Sequence, residues 1–260
     1  MNTIKVDLGK DIHEVNLYPI GDIHLGSEHF DKKRFLSFIE LVKNDPNAVV
    51  ILNGDMINNA IKTSVSDIYT EQLTPEQQLD TLYEYISPIK DKVVGVTRGN
   101  HEERTYKLTG IDVLKNLCYR LGIIDYYHEV SNVIFLSFGK SRGRDNVRNT
   151  FSIYHTHGRG GGRTQGAKIN RLHRLSTIVH ADIYVHSHTH TPITFKENYI
   201  QTNCSNKGIK EVPRLFVNTN AYEGFGGYGE VLGLTPSNRE HVVIRLKADE
   251  KGNKQFSATL

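Results

Sequence analysis

The sequence predicts an α/β fold, and two observations carry that reading. Short β-branched, apolar runs recur along the chain, each ending in Gly, Asn or His, and helical patterns lie between them. The first run covers residues 15–20. Asp31 then caps a helix whose apolar stripe is Phe35, Phe38, Ile39 and Val42, spaced i, i+3, i+4, i+7. The second run, 48–52, is the longest clean apolar stretch. Thr74-Pro75-Glu76-Gln77 reads as a capping box with proline at the first helical position, followed by Leu79, Leu82 and Ile86 as a buried face. A third run at 92–97 precedes a helix marked by Ile111, Leu114, Leu117 and Leu121 and ended by Gly122. Runs at 133–138 and 151–154 come next. Ile169, Leu172, Leu175 and Val179 mark a fourth helix, and 183–185 a further strand. From about residue 212 the pattern turns β-rich, with strands expected at 215–217, 241–247 and 255–259. No repeat or linker divides the chain, so residues 1–260 read as a single domain whose β-rich portion, about 212–260, completes a sheet.

Composition narrows the class. Of 260 residues, 38% are hydrophobic and 23% charged, which excludes disordered and collagen-like chains. A net charge of +3 is too small by itself to imply a polyanionic partner. The longest apolar run has five residues, so no membrane-spanning helix is expected, and residues 1–7 lack the apolar core of a signal peptide. Two cysteines, Cys118 and Cys204, form no disulfide framework and suit a reducing, cytoplasmic setting. The 13 histidines stand out, seven of them between His155 and His190. Any metal here would be held by imidazole and carboxylate rather than sulfur.

Five strand-like runs end in residues that bind metals well. They lead into Gly21-Asp22-Ile23-His24, Gly54-Asp55, Gly99-Asn100-His101-Glu102, His155-Thr156-His157-Gly158 and His186-Ser187-His188-Thr189-His190. Ligands of open α/β sheets bind outside the carboxyl ends of the strands, where all five fall. Asp-x-His and His-x-His place side chains on one side of an extended backbone, so both can reach one ion. Carboxylate, amide and imidazole together suit Mn, Fe or Zn. Singly, each motif has an ordinary structural use, as a turn, or as a helix cap in which Asn100 pairs with Glu103. Five in this order do not.

This ordered set resembles the calcineurin-like dinuclear metallophosphoesterases. The resemblance implies a four-layer α/β/β/α sandwich of two mixed sheets flanked by helices, with two divalent ions at one sheet edge. Manganese is the ion expected, with iron or zinc as alternatives. It also implies roles: Asp22, His24 and His190 on one ion, Asn100, His157 and His188 on the other, Asp55 bridging them, and His101 catalytic beside the leaving group. His155 is the alternative to His157. Two departures stand out. Ser187 occupies a position that is usually glycine, and Asn58 stands where the phosphoprotein-phosphatase branch has an Asp that orients the catalytic His.

Two ions sharing a bridging water lower its pKa toward neutrality, so hydroxide becomes available for in-line attack on phosphorus. His101 as imidazolium could protonate the departing alkoxide. Between Lys140 and Arg174 nine basic residues face one acid, a local +8 hidden by the global balance. Arg159 and Arg163, flanking three glycines just after His157, are the expected phosphate-binding residues. Lys168, Arg171 and Arg174 make a basic stripe on the following helix. Tyr222, Phe225 and Tyr228, on a glycine-rich loop, could stack on bases. The expected activity is therefore a metal-dependent phosphodiesterase or nuclease, with a nucleotide or nucleic acid as its phosphate-ester partner. A phosphomonoesterase of small phosphate compounds is one alternative. A non-catalytic nucleic-acid-binding protein with a structural metal site is another.

Overall fold

The structure, a computed structural model, describes residues 1–64, 67–141, 147–162, 164–205, 207–226, 230, 233, 236, 238–249 and 251–260. Among these residues the strands form two six-stranded sheets. In the first, β2 (Glu14–Ile20), β3 (Ala48–Asn53), β4 (Val93–Thr97) and β5 (Tyr127–His128) run parallel. At its other edge β11 (Val243–Ala248) pairs antiparallel with β2, and β12 (Lys254–Thr259) with β11. The second sheet has the order β1 (Asn2–Asp7), β6 (Ser131–Phe138), β7 (Asn149–Thr156), β8 (Ile183–His186), β10 (Gly208–Asn218), β9 (Ile193–Asn203).

Side-chain alternation assigns the layers. On β3, Val49 and Ile51 join Val15, Leu17, Ile134, Ile153, Val185 and Val217 in the core between the sheets. Ala48, Val50 and Leu52 point the other way, into a core shared with helices α1 (Lys32–Asn44), α2 (Pro75–Ile86) and α4 (Val113–Leu121). A strand buried on both faces is apolar throughout rather than alternating, which is why residues 48–52 read as one continuous run. A third cluster, with Tyr154, Tyr184 and Phe216, packs the outer face of the second sheet against Leu172 of α5 (Gln165–His173). The layers are therefore helix, sheet, sheet, helix, as expected. None of the described helices is long and apolar enough to cross a membrane.

The capping signals act as read, whereas the fourth helix is shorter than its pattern: α5 ends at His173, Leu175 sits on a following 3₁₀ turn, Val179 lies beyond it and Ile169 is exposed. Asp31 Oδ1 accepts from Arg34 N at 3.1 Å, and Thr74 and Gln77 close their reciprocal box. Gly122 terminates α4 at φ 74°, a left-handed conformation that costs glycine little. Three further expectations need correction. Ile111 is exposed and precedes α4, because Asp112 is the cap. The helix α3 (Asn100–Thr109) is capped at Gly99 with Glu102, not Glu103, as the returning acid. The β-rich C-terminal portion completes both sheets, since β10 lies in the second and β11–β12 in the first. The strands β1, β5 and β9 carried no clear signal. β9 is a half-exposed edge whose Lys, Glu, Asn and Gln break up the apolar pattern.

Candidate metal centre

The five motifs leave the carboxyl ends of β2, β3, β4, β7 and β8 and meet at one edge where the two sheets face each other. Backbone bonds lace them together. Asp22 N donates to Gly54 O at 3.0 Å, His24 N to Asp55 O at 3.0 Å, and Ser187 N to His157 O at 3.2 Å. Two glycines permit the approach. A Cβ on Gly99 would stand 2.1 Å from Asp55 Oδ1, and one on Gly54, at φ 80°, would stand 2.6 Å from Gly99 N.

Two groups of donor atoms result. Asp22, His24 and His190 converge in one; Asp55, His157 and His188 in the other. Asp55 also groups with His24 and His101, which puts its carboxylate between the two positions. Asn100 Oδ1 lies 3.1 Å from His157 Nε2. All eight expected metal and catalytic residues are thus brought together. Their backbone, however, is not the extended one expected of Asp-x-His and His-x-His. Asp22, His24, Asp55, His188 and His190 all have φ between 51° and 69°, the left-handed region. Each such residue costs on the order of 1 kcal/mol or more, and strain of this kind is kept where the side chain must be aimed.

Nitrogen and oxygen donor atoms meet here at short range, so a proton or a cation must sit between them. His157 Nδ1–H donates to Asn53 O at 2.8 Å, which directs Nε2 into the centre, where it carries a proton in metal-free protein and would offer a lone pair to a metal. That nitrogen faces Asn100 Oδ1 and Asp55 Oδ2, each at 3.1 Å. His24 Nε2 and His190 Nε2 stand 3.1 Å apart, with Asp22 Oδ1 3.4 Å from the latter. Asp22 Oδ1 and His24 Nδ1 are buried with no hydrogen-bond partner. Converging atoms of this kind call for a cation, and an oxygen–nitrogen donor set fits a divalent metal at each position.

Titration carries the same message. The Asp55 carboxylate raises His157 to about 10 against the opposing effect of burial, and Asp22 likewise raises His190 to about 9. Asp22 is lowered to about 2 by His190 and His157 in spite of its burial. Without metal, protons supply the missing charge. A group raised above its unfolded value of 6.5 contributes stability below pH 6.5 and loses it as pH rises through 9–10. The metal-stripped protein is therefore expected to lose Tm steadily between pH 7 and 10, and added Mn²⁺ to restore it at pH 9. A Tm flat across that range in EDTA would contradict this account.

His155, the alternative ligand, belongs to the fold instead. Its Nδ1–H donates to Asn53 Oδ1 at 3.0 Å and its Nε2 accepts from Asn132 Nδ2 at 3.0 Å, so both ring nitrogens are used. His186 donates to Asn218 Oδ1 at 2.7 Å, beneath Gly158. Ser187 explains its own departure. Its hydroxyl accepts from Asn53 and Thr219 at 2.7 and 2.8 Å, in space bounded by Gly21, whose added Cβ would come within 2.4 Å of it.

His101 lies 3.9 Å from Asp55 Oδ2. Its Nδ1–H donates to the backbone carbonyl of Asn58 at 2.6 Å, so no side-chain acid is needed at 58 to orient the ring. Arg104, which sequence reasoning missed, donates to His101 Nε2 at 2.9 Å. Burial lowers His101 to about 3, with His24 and Arg104 adding to the effect and Asp55 opposing it. The metal-free ring is thus held toward its neutral form, with Nε2 accepting from Arg104.

The basic segment is more structural than expected. Arg159 pairs with Glu103. Arg171 donates to the carbonyls of Arg159 and Gly161 at 2.7 and 2.9 Å, fastening the glycine loop. Lys168 reaches Thr191. Arg163, Arg142, Arg144 and Asp145 lie outside the described residues. Of the loop aromatics, Tyr222 is core, 5.3 Å from the Phe35 ring; Phe225 is exposed; Tyr228 lies outside the described residues. Also missed were Asn53, the hub between His155 and Ser187, and Glu102, whose carboxylate ties Asp55, Met56, Ile57 and Gly99 through their N–H groups. Both had a signal: a polar residue closing an apolar run, and an acid inside the third motif.

An α/β/β/α sandwich with paired histidine–carboxylate clusters at one sheet edge defines a class, the two-position metal-binding phosphoesterases. The chain belongs to the calcineurin-like phosphoesterase family, whose model matches residues 17–192. Among solved structures, Vps29 from Chaetomium thermophilum is 12% identical, with 94% of this chain and 95% of that chain covered at a TM-score of 0.41. An uncharacterized protein of Streptococcus pneumoniae described as a predicted phosphoesterase is 14% identical, with 95% and 99% covered and a TM-score of 0.37. Vps29 of Entamoeba histolytica complexed with zinc is 12% identical, with 94% and 98% covered and a TM-score of 0.39. No curated protein matches the chain.

Proposed function

We propose that this chain is a dinuclear metal-dependent phosphodiesterase acting on nucleotide or nucleic-acid phosphodiesters, with manganese as its working ion. The convergence of imidazole, carboxylate and amide donor atoms on two adjacent positions, with Asp55 between them, carries the reading. Asp22, His24 and His190 would hold one ion and Asn100, His157 and His188 the other, with Asp55 available to both. Two such ions supply an activated water and neutralise charge on the phosphoryl oxygens. The protein's own part is positional. Gly54 and Gly99 let the loops close, Asn58 O fixes the His101 ring 3.9 Å from Asp55 Oδ2, and Arg104 bonds that ring at its Nε2. With its Nε2 accepting from Arg104, His101 is placed as a hydrogen-bonding partner beside Asp55.

The charge around the glycine loop supports a polyanionic substrate. Arg171 is bonded to carbonyls, which leaves its charge unneutralised, whereas Glu103 offsets that of Arg159. Arg163 remains a candidate phosphate contact on its sequence position alone. The free thiols of Cys118 and Cys204 accord with a reducing, cytoplasmic setting.

Mn²⁺-loaded protein is expected to hydrolyse bis(4-nitrophenyl) phosphate faster than 4-nitrophenyl phosphate, to cleave nucleic acid, and to lose activity in EDTA. His101→Ala is expected to lower kcat by about 10²-fold or more. Preference for the monoester would instead make the protein a phosphomonoesterase. Inertness on every substrate with Mn²⁺ bound would leave a binding protein.

A further inference from the structure

A third carboxylate stands at the first metal position, on a segment far from every motif. Glu223 Oε2 lies 3.8 Å from His190 Nδ1 and 4.0 Å from His24 Nε2. Its side chain is 23% exposed. Glu223 is placed there by design of the chain around it. The Tyr222 ring is plugged into the core against Phe35 and Phe38, and Tyr222 N donates to the carbonyl of Asp22 at 2.9 Å. On its other side Gly224 N donates to His29 O at 2.8 Å, and residue 223 itself bridges Phe30. The loop is therefore pinned at both ends to the segment that follows β2, and the carboxylate between the pins faces two histidines of the centre. Nothing in the hydrophobic effect rewards burying part of a carboxylate beside two imidazoles; such placement is favoured where those rings carry protons or a cation.

The ring of His190 has its Nε2 in the donor set and its Nδ1 turned to Glu223. A metal-bound imidazole that offers its other N–H to a carboxylate is fixed in tautomer and orientation and binds more tightly, and loss of the outer partner typically costs about 10–100-fold in metal affinity. At 3.8 Å the contact closes through one water or a small rotation of the Glu223 side chain. We propose that Glu223 is a positioning residue of the Asp22–His24–His190 site, holding the His190 ring through Nδ1 and setting the affinity of that site for a divalent cation. It also adds a negative charge, so two dications, Asp22, Asp55 and Glu223 sum to +1 before any water ionises. The inference rests on the two-ion reading above.

Calorimetric titration of metal-stripped, full-length protein with Mn²⁺ tests it. Wild type is expected to take two ions; Glu223→Gln to take two, one of them bound about 10–100-fold more weakly; and Glu223→Asp to recover part of the loss. The Tm of the metal-free variants should match wild type at pH 10, where the His190 ring has lost its proton, and in Zn²⁺-loaded protein the ¹⁵N shift of His190 Nδ1 should move on Glu223→Gln. Two affinities within twofold of wild type would overturn the proposal. So would a lower metal-free Tm at pH 10 with both affinities intact, since that marks a purely structural role. Wild type that binds no Mn²⁺ would overturn the two-ion reading itself.

Discussion

Asp55→Asn is expected to reduce phosphodiester turnover by at least about 10³-fold, some 4 kcal/mol of transition-state stabilisation, and to abolish tight binding of one of two Mn²⁺ ions. The substitution keeps shape and removes one charge. Asp55 Oδ1 accepts from His101 N at 2.8 Å, a bond that an amide oxygen preserves. Oδ2 is the atom that cannot be replaced. It lies 3.1 Å from His157 Nε2 and 3.9 Å from His101 Nε2, between the two donor groups. In the variant either an NH₂ points there, repelling a cation, or the oxygen does and leaves His101 N unpaired. The loss of charge also acts at a distance. The Asp55 carboxylate is the principal cause of the raised His157 pKa, so that pKa should fall and the alkaline loss of stability in metal-free protein should shrink. Activity within tenfold of wild type, with two ions still bound, would remove Asp55 from its bridging place.

The motifs themselves were legible because their chemistry is local. Each metal-directed residue follows a strand end within a few positions, and a parallel sheet delivers neighbouring strand ends to one edge, so order along the chain predicts assembly in space. What the chain did not display is how the side chains are aimed. Five residues of the centre adopt left-handed backbone, which no periodicity announces and which glycine alone adopts readily. Nor did it display the supports that arrive from elsewhere. Asn53 joins β3 to Thr156 and to Ser187, contacts made across more than 100 residues of sequence. Tyr222 and Glu223 share a loop that composition marks only as glycine-rich; one proves to be core and the other faces the centre.

The basic segment teaches the opposite lesson, since counting charges overstated what a substrate could meet. Charge alone does not separate an arginine that binds phosphate from one that ties a loop. Arg171 reaches two carbonyls of its own glycine loop and Arg159 a carboxylate on α3. Both shape the rim of the centre before any ligand arrives. Arg104 was overlooked because it is a single basic residue on a helix, three positions after His101, yet it is the arginine bonded to the ring beside Asp55.

Glu102→Ala is expected to be the most destabilising single change among the supports, by about 4 kcal/mol, or roughly 8–16 °C in Tm. Glu102 is fully buried and its carboxylate accepts four backbone N–H groups: Met56 at 2.7 Å and Ile57 at 3.2 Å on Oε1, Gly99 at 2.9 Å and Asp55 at 3.1 Å on Oε2. These donors belong to the loops after β3 and β4, which present Asp55 and Asn100. Removing the carboxylate leaves four buried donors unpaired, each costing roughly 1–3 kcal/mol before water enters the space. Glutamine is no rescue, because its NH₂ group sets a donor against two donors. The pKa of Glu102 shows how finely the arrangement is balanced. Burial and the Asp55 carboxylate raise it to about 7 even though the N–H groups of Ile57 and Gly99 favour the ionised form. A cation on Asp55 would cancel that repulsion, so wild type should gain more thermal stability from Mn²⁺ than Glu102→Ala does. Thermal melts of both proteins, metal-free and with saturating Mn²⁺, measure this. A loss under 1 kcal/mol (roughly 2–4 °C), with equal stabilisation by Mn²⁺ in both, would show that the two loops hold their places without Glu102.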